Sequence, residues 1–207
     1  MRNEFYCDAL DVLKWTRCLE LAQLHGVARI HHLAFLTPDR GRGEGNKRND
    51  RRDADPAVRA YVRDEREAFI ADPRLKDVRR GALLSSYLKS ILVTVDARPF
   101  EQRNRSTWIG EAARSLRDIQ QPAVILLDPD NGVGDKHPTD AHVRPEEFAV
   151  LFSSVLPKSV LVVFQHQQRR RGWADASRSS LSTTLGSDAA VTHADGDPVA
   201  FLWAMRP

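Results

Sequence analysis

Two polar runs stand where long apolar stretches stop. Asp128-Pro129-Asp130-Asn131-Gly132 follows Ala123-Val124-Ile125-Leu126-Leu127, and Gln165-His166 follows Ser159-Val160-Leu161-Val162-Val163-Phe164. A pair of carboxylates can orient water, take a proton or face a developing cation, and an imidazole supplies a proton or hydrogen bond near neutral pH. Pro129 keeps Asp128 extended, and Gly132 admits a backbone conformation that other residues resist. The same five residues would also serve an ordinary tight turn. The reading adopted is a site in which Asp128, Asp130 and His166 carry the chemistry while Asn131 and Gln165 touch the substrate, with the choice between the two aspartates left open.

Other residues could join them. Asp11 and Lys14 fall within an early helix that is apolar on most sides, with Tyr6 just before it. Charges in such a place are costly unless they are paired or used, so they serve either as a salt bridge or as part of the pocket. Arg169, Arg170 and Arg171 come directly after the histidine turn, with Trp173 next, and Arg42 lies in a second basic run. Guanidinium groups beside a flat ring suit contact with phosphate and stacking on bases, although solvated loops have the same composition. His31 and His32 are adjacent but have no carboxylate or cysteine at a ligand-like spacing, so no metal site is expected. Cys7 and Cys18 are read as reduced structural thiols.

These groups need a scaffold. A chain of 207 residues with 42% apolar and 29% charged content suits one domain, 1–207, and its formal charge of +3 alone establishes no polyanion partner. Helices are expected over 8–25, 56–70, 107–119 and 145–156. Strands are expected over 30–36, 90–95, 123–127 and 159–164, with a hairpin from 189–192 and 199–205 at the carboxyl end. Residues 40–55 hold three glycines among charges and are expected to form a flexible basic loop. Strands alternating with helices imply an α/β fold of three layers, a Rossmann-like, mainly parallel sheet with helices on both faces, edged by the antiparallel hairpin. Ligands of such sheets bind beyond the carboxyl ends of the strands, where both polar runs stand. No run reaches the ~18 apolar residues of a membrane span, and the first residues lack the pattern of a signal peptide, so a cytoplasmic location is expected.

Three resemblances follow. Tyr6 and Asp8 leading into a helix with Asp11 and Lys14, then Leu36-Thr37-Pro38-Asp39, the turn 128–132 and Gln165-His166 resemble, in order, a widespread family of bacterial proteins. Residues 9–15 and Asp128-Pro129 look like pieces of the Rossmann-fold methyltransferases that modify adenine in ribosomal RNA. That resemblance implies S-adenosylmethionine as cofactor and Asp128 as acceptor of an exocyclic amine, although no glycine follows the first strand before Gly41. The layout of an Asp-Pro turn and a late histidine is similar to uracil-DNA glycosylase-type enzymes, including anti-phage members. This last resemblance gives the leading expectation, a hydrolase acting on a flipped base in DNA, with no cofactor and no obligate protein partner. The methyltransferase stands as the alternative, and a non-catalytic nucleic-acid-binding module as the third reading.

Overall fold

The computed structural model describes residues 2–3, 6–38, 54–134, 139, 141–167, 171–192 and 199–207. Its first helix, α1 (Ala9–Leu24), begins where the Asp8 carboxylate accepts hydrogen bonds from the amides of Leu10 and Asp11, and it ends just before Gly26, at φ 64°. Strand β1 (Arg29–Ala34) follows. Helix α2 (Pro56–Ala71) starts on Asp55, whose carboxylate accepts from Ala57 and Val58. Asp55 caps α2 and Ala54 is buried beside it; the remainder of the expected loop 40–55, with Arg42, lies outside the described residues. Two 3-10 helices, Pro73–Leu75 and Val78–Ser86, lead to β2 (Leu92–Asp96).

Then come α3 (Arg105–Arg117), β3 (Val124–Asp128), a two-stranded pair made of β4 (Gly132–Val133) and β5 (His142–Val143), and α4 (Pro145–Ser154). The chain closes with β6 (Val160–His166), α5 (Trp173–Leu185), β7 (Ala190–Thr192) and β8 (Val199–Met205). Helix α5 was not expected. Its Ser- and Thr-rich sequence has weak helical propensity, and it forms because Trp173, Ser177 and Leu181, four residues apart, bury one stripe.

The main sheet has the order β2-β1-β3-β6-β8-β7. Strands β2, β1, β3 and β6 run parallel, β8 is antiparallel to β6, and β7 is antiparallel to β8. The last strand is therefore interior, and the short β7 forms the edge. Alternation along the strands separates two apolar layers. Ile30, Ala34, Val124, Leu126, Val162 and Phe164 face a core that includes α1, α2 and the longer 3-10 helix. Leu33, Phe35, Ile125, Leu127, Leu161 and Val163 face a core that includes α3, α4 and α5. The expected α/β fold, a mainly parallel sheet between two helical layers with antiparallel strands at the carboxyl end, is the one observed.

The chain leaves β1 for β2 on one side and returns to β3 on the other. A doubly wound sheet opens a crevice at such a reversal, here beyond the carboxyl ends of β1 and β3.

Candidate functional site

The acidic turn lies at that reversal. Asp128 is the last residue of β3 and pairs in register with Ala34, the last residue of β1. Its side chain falls on the α1 face, where it is closed in: Asp128 is 1% exposed, Asp11 2%, His32 2% and Lys14 6%. Lys14 Nζ lies 2.8 Å from Asp128 Oδ1, 3.1 Å from Oδ2 and 3.1 Å from Asp11 Oδ1, so the ammonium is held between two carboxylates. His32 Nε2 lies 3.0 Å from Asp128 Oδ2, and the His32 ring meets Trp15 edge to face at 5.2 Å. An ionised carboxylate only accepts, so His32 bears its proton on Nε2. Lys14 Nζ also stands 4.6 Å from the centre of the Phe164 ring.

Electrostatics follow from this geometry. Burial opposes charge on Asp128, but Lys14 and His32 outweigh it and hold the carboxyl well below the ordinary aspartate range. Burial likewise opposes charge on Lys14, and the carboxylates of Asp128, Asp11 and Asp8 outweigh it, keeping the ammonium charged. Asp11 is the strained member. Desolvation and the charges of Asp8 and Asp128 push it up to about 6 against the pull of Lys14.

The turn itself is held beyond Asp128. Asp130 Oδ2 accepts from Thr37 Oγ1 at 3.3 Å, across the gap between the strand ends, and pairs with Arg2 Nε at 3.2 Å. Asn131 is exposed, while its backbone amide donates to Ala141 O at 2.7 Å. Gln165 is buried on the opposite face of the sheet: its Oε1 accepts from Val133 N at 2.8 Å, and its Nε2 donates to Asn131 O and His166 O, each at 3.2 Å. Gly132 sits at φ 88°, and a β-carbon there would fall 2.7 Å from Gln165 Oε1. Glycine is thus needed twice, for its torsion and for contact.

The structure brings Asp11, Lys14 and Asp128 together and sets Asp130 and Asn131 beside them. His166 shares their edge and face, half-buried, its ring 4.8 Å from that of Phe164. Tyr6 is engaged elsewhere, its hydroxyl bonded to Tyr61 and to Glu65. Arg171 is exposed, and Arg169 and Arg170 lie outside the described residues. Sequence reasoning missed His32, whose signal was a polar residue inside an apolar strand, and Asp96, which ends β2 on the other side of β1. The Asp96 carboxylate is gripped by Arg98, Nε to Oδ1 at 2.9 Å and Nη2 to Oδ2 at 2.7 Å. Among the described residues no group of three or more His, Cys, Asp or Glu is arranged to hold a metal ion, and no helix is long and apolar enough to cross a membrane. Both cysteines are buried and free.

A scan against protein-family models and a search of curated proteins find no match. Among solved structures, the chain is similar to human Methyltransferase-like protein 13 in complex with SAH, at 16% identity and a TM-score of 0.41, over 96% of this chain and 80% of that one. The expectation of a hydrolase is corrected. Asp128, which a glycosylase would need beside water and a sugar cation, is sealed, its two oxygens bound by Lys14 and His32.

Proposed function

We propose that the chain is a Rossmann-like methyltransferase that uses S-adenosylmethionine to methylate an exocyclic amine in nucleic acid, at the crevice beyond β1 and β3. The observation that carries this reading is the pair of acidic strand ends flanking β1, with Asp96 on β2 and the turn Asp128-Pro129-Asp130-Asn131 on β3. In doubly wound folds that bind nucleosides, an acid at the end of the second strand takes the ribose hydroxyls, a role that Asp96 fits by its place although a longer connection precedes it here. Its partner Arg98 is partly exposed, and its displacement would release the carboxylate. One departure stands against this fit. Phe35-Leu36-Thr37-Pro38 has no glycine, and Leu36 O accepts from Phe100 N at 2.8 Å, so the chain runs on extended where a tight turn would bring backbone close to the cofactor.

The cofactor would supply an electrophilic methyl group. The chain's own residues would place the acceptor: Asp130, exchanging part of its hold on Arg2 and Thr37, would accept a hydrogen bond from the amine, Asn131 would read the neighbouring edge of the base, and Asp128 would anchor the turn from within. Half-buried His166 borders the same edge, and the arginines at 169–171 would meet phosphate.

Calorimetric titration with S-adenosylmethionine tests the reading. Saturable binding is expected, weakened at least tenfold by Asp96→Asn and left intact by Asp130→Asn, which instead abolishes transfer of labelled methyl to DNA or ribosomal RNA. Absence of saturable heat at millimolar cofactor would overturn it.

A further inference from the structure

We propose that Gln165 is a positioning residue for this site, an inference that rests on the methyltransferase reading for its catalytic consequence but not for its geometry. The turn after β3 is fastened at both ends and from both faces of the sheet. At its root, Asp128 is locked to Lys14 and His32 on the α1 face. At its exit, Gln165 reaches from the opposite face to Asn131 O and Val133 N. Asn131 N is bound to Ala141 O, and Gly134 N to Val143 O at 3.0 Å. Between the fastenings lie Asp130, itself held by Thr37 and Arg2, and the exposed Asn131, so the backbone that displays them has almost no slack.

Only a carboxamide can do this. Val133 N requires an acceptor, whereas Asn131 O and His166 O require a donor, and one terminal group must supply both. A glutamate of the same length would keep the first bond and set oxygen against oxygen at the other two. Gln165 also ties the turn to the backbone of His166, so the two polar strand ends move as one body. Close contact with Gly132 completes the fit, because a β-carbon there would lie 2.8 Å from Gln165 Cα. Catalytic groups held within a fraction of an ångström gain rate that binding alone does not supply.

The test uses Gln165→Met, which is near in size but removes all three bonds, Gln165→Glu, and Gly132→Ala, which pushes on the same contact from the turn. In each folded variant, hydrogen exchange at the amide of Asn131 should speed up at least tenfold, and at Val133 it should do so in Gln165→Met and Gly132→Ala but not in Gln165→Glu, which keeps the Val133 bond. Affinity for S-adenosylmethionine should stay within twofold of the parent, while transfer of labelled methyl to unmethylated plasmid DNA or ribosomal RNA falls at least tenfold. Unchanged exchange in a folded Gln165→Met protein overturns the proposal, as does transfer that is retained or that drops only in step with cofactor affinity. Failure of all three variants to fold overturns it too, by making the residue merely structural. If the parent protein transfers methyl to neither nucleic acid, the methyltransferase reading falls and exchange alone decides the role of Gln165.

Discussion

Among the described residues, the buried Lys14 ammonium faces the carboxylates of Asp8, Asp11 and Asp128, and its removal strands them. Truncating one partner of a buried ion pair costs roughly 3–5 kcal/mol, chiefly because the opposite charge is left without compensation. Lys14→Met should therefore destabilise the protein by about that amount at neutral pH. Asp128→Asn should cost less, since Asp11 still accepts from Lys14 at 3.1 Å and an amide oxygen can still face the ammonium. Asp11 is pushed up to about 6, so acidification below that value supplies a proton that relieves the stranded charge. Urea unfolding at pH 7.5 and pH 5 measures this: the deficit of Lys14→Met relative to the parent should shrink at the lower pH. An equal deficit at both would mean that packing of the lysine stem, not charge, sets its value.

At the scale of elements, the exposed edge of the sheet shows what a sequence reveals and what it hides. Among the described residues no strand pairs with the outer side of β2, yet Val93 is satisfied there by a single side chain: Ser85 Oγ, on the longer 3-10 helix, accepts from Val93 N at 2.7 Å and donates to Val93 O at 3.2 Å. Leu83 and Leu92 flank it, 45% and 46% exposed. Unpaired edge groups beside apolar side chains invite pairing with another chain. Ser85→Ala should lose about 1–3 kcal/mol, the cost of leaving a donor unsatisfied, and should raise self-association in light scattering at equal concentration. None of this was legible, because a serine in an irregular stretch has no periodicity to betray its partner. Strands β3 and β6 were legible because burial on both faces demands an unbroken apolar run, which few other contexts explain. Asp128 could be placed at a strand end by the same argument. Its closure could not, since Lys14 lies 114 residues away and His32 lies 96 residues away, and only the fold brings them to it. Helix α5 was hidden for a third reason: its stability comes from the layer it packs on, not from its own residues.

Across the whole molecule, the two faces of the sheet carry opposed responses to acid, and β1 is where they meet. His31 points to one face, its Nδ1 2.8 Å from Thr94 Oγ1, and desolvation lowers it from an ordinary 6.5 to about 4. As pH falls through that window the unfolded chain takes up a proton that the folded chain refuses, so stability is lost. Asp11, on the other face, behaves in reverse. Its folded value of about 6 exceeds the ordinary 3.8, so its stabilising contribution is full below 3.8 and is lost as pH rises through about 6. Each amounts to about 3 kcal/mol, and the two nearly cancel between pH 4 and 6.5. Below pH 4 the balance ends, because Asp128 is depressed and its contribution drains away as pH drops further. His31→Asn removes one arm. Relative to the parent, that variant should gain about 3 kcal/mol in unfolding free energy between pH 6.5 and pH 4, and Asp11→Asn should lose a similar amount over the same interval. Since the two side chains lie on opposite faces of the sheet, the double variant should track the parent across the window. Denaturant titrations at four pH values decide it, and a double variant whose curve departs from the parent by more than about 1 kcal/mol would show that the two faces are coupled through the sheet.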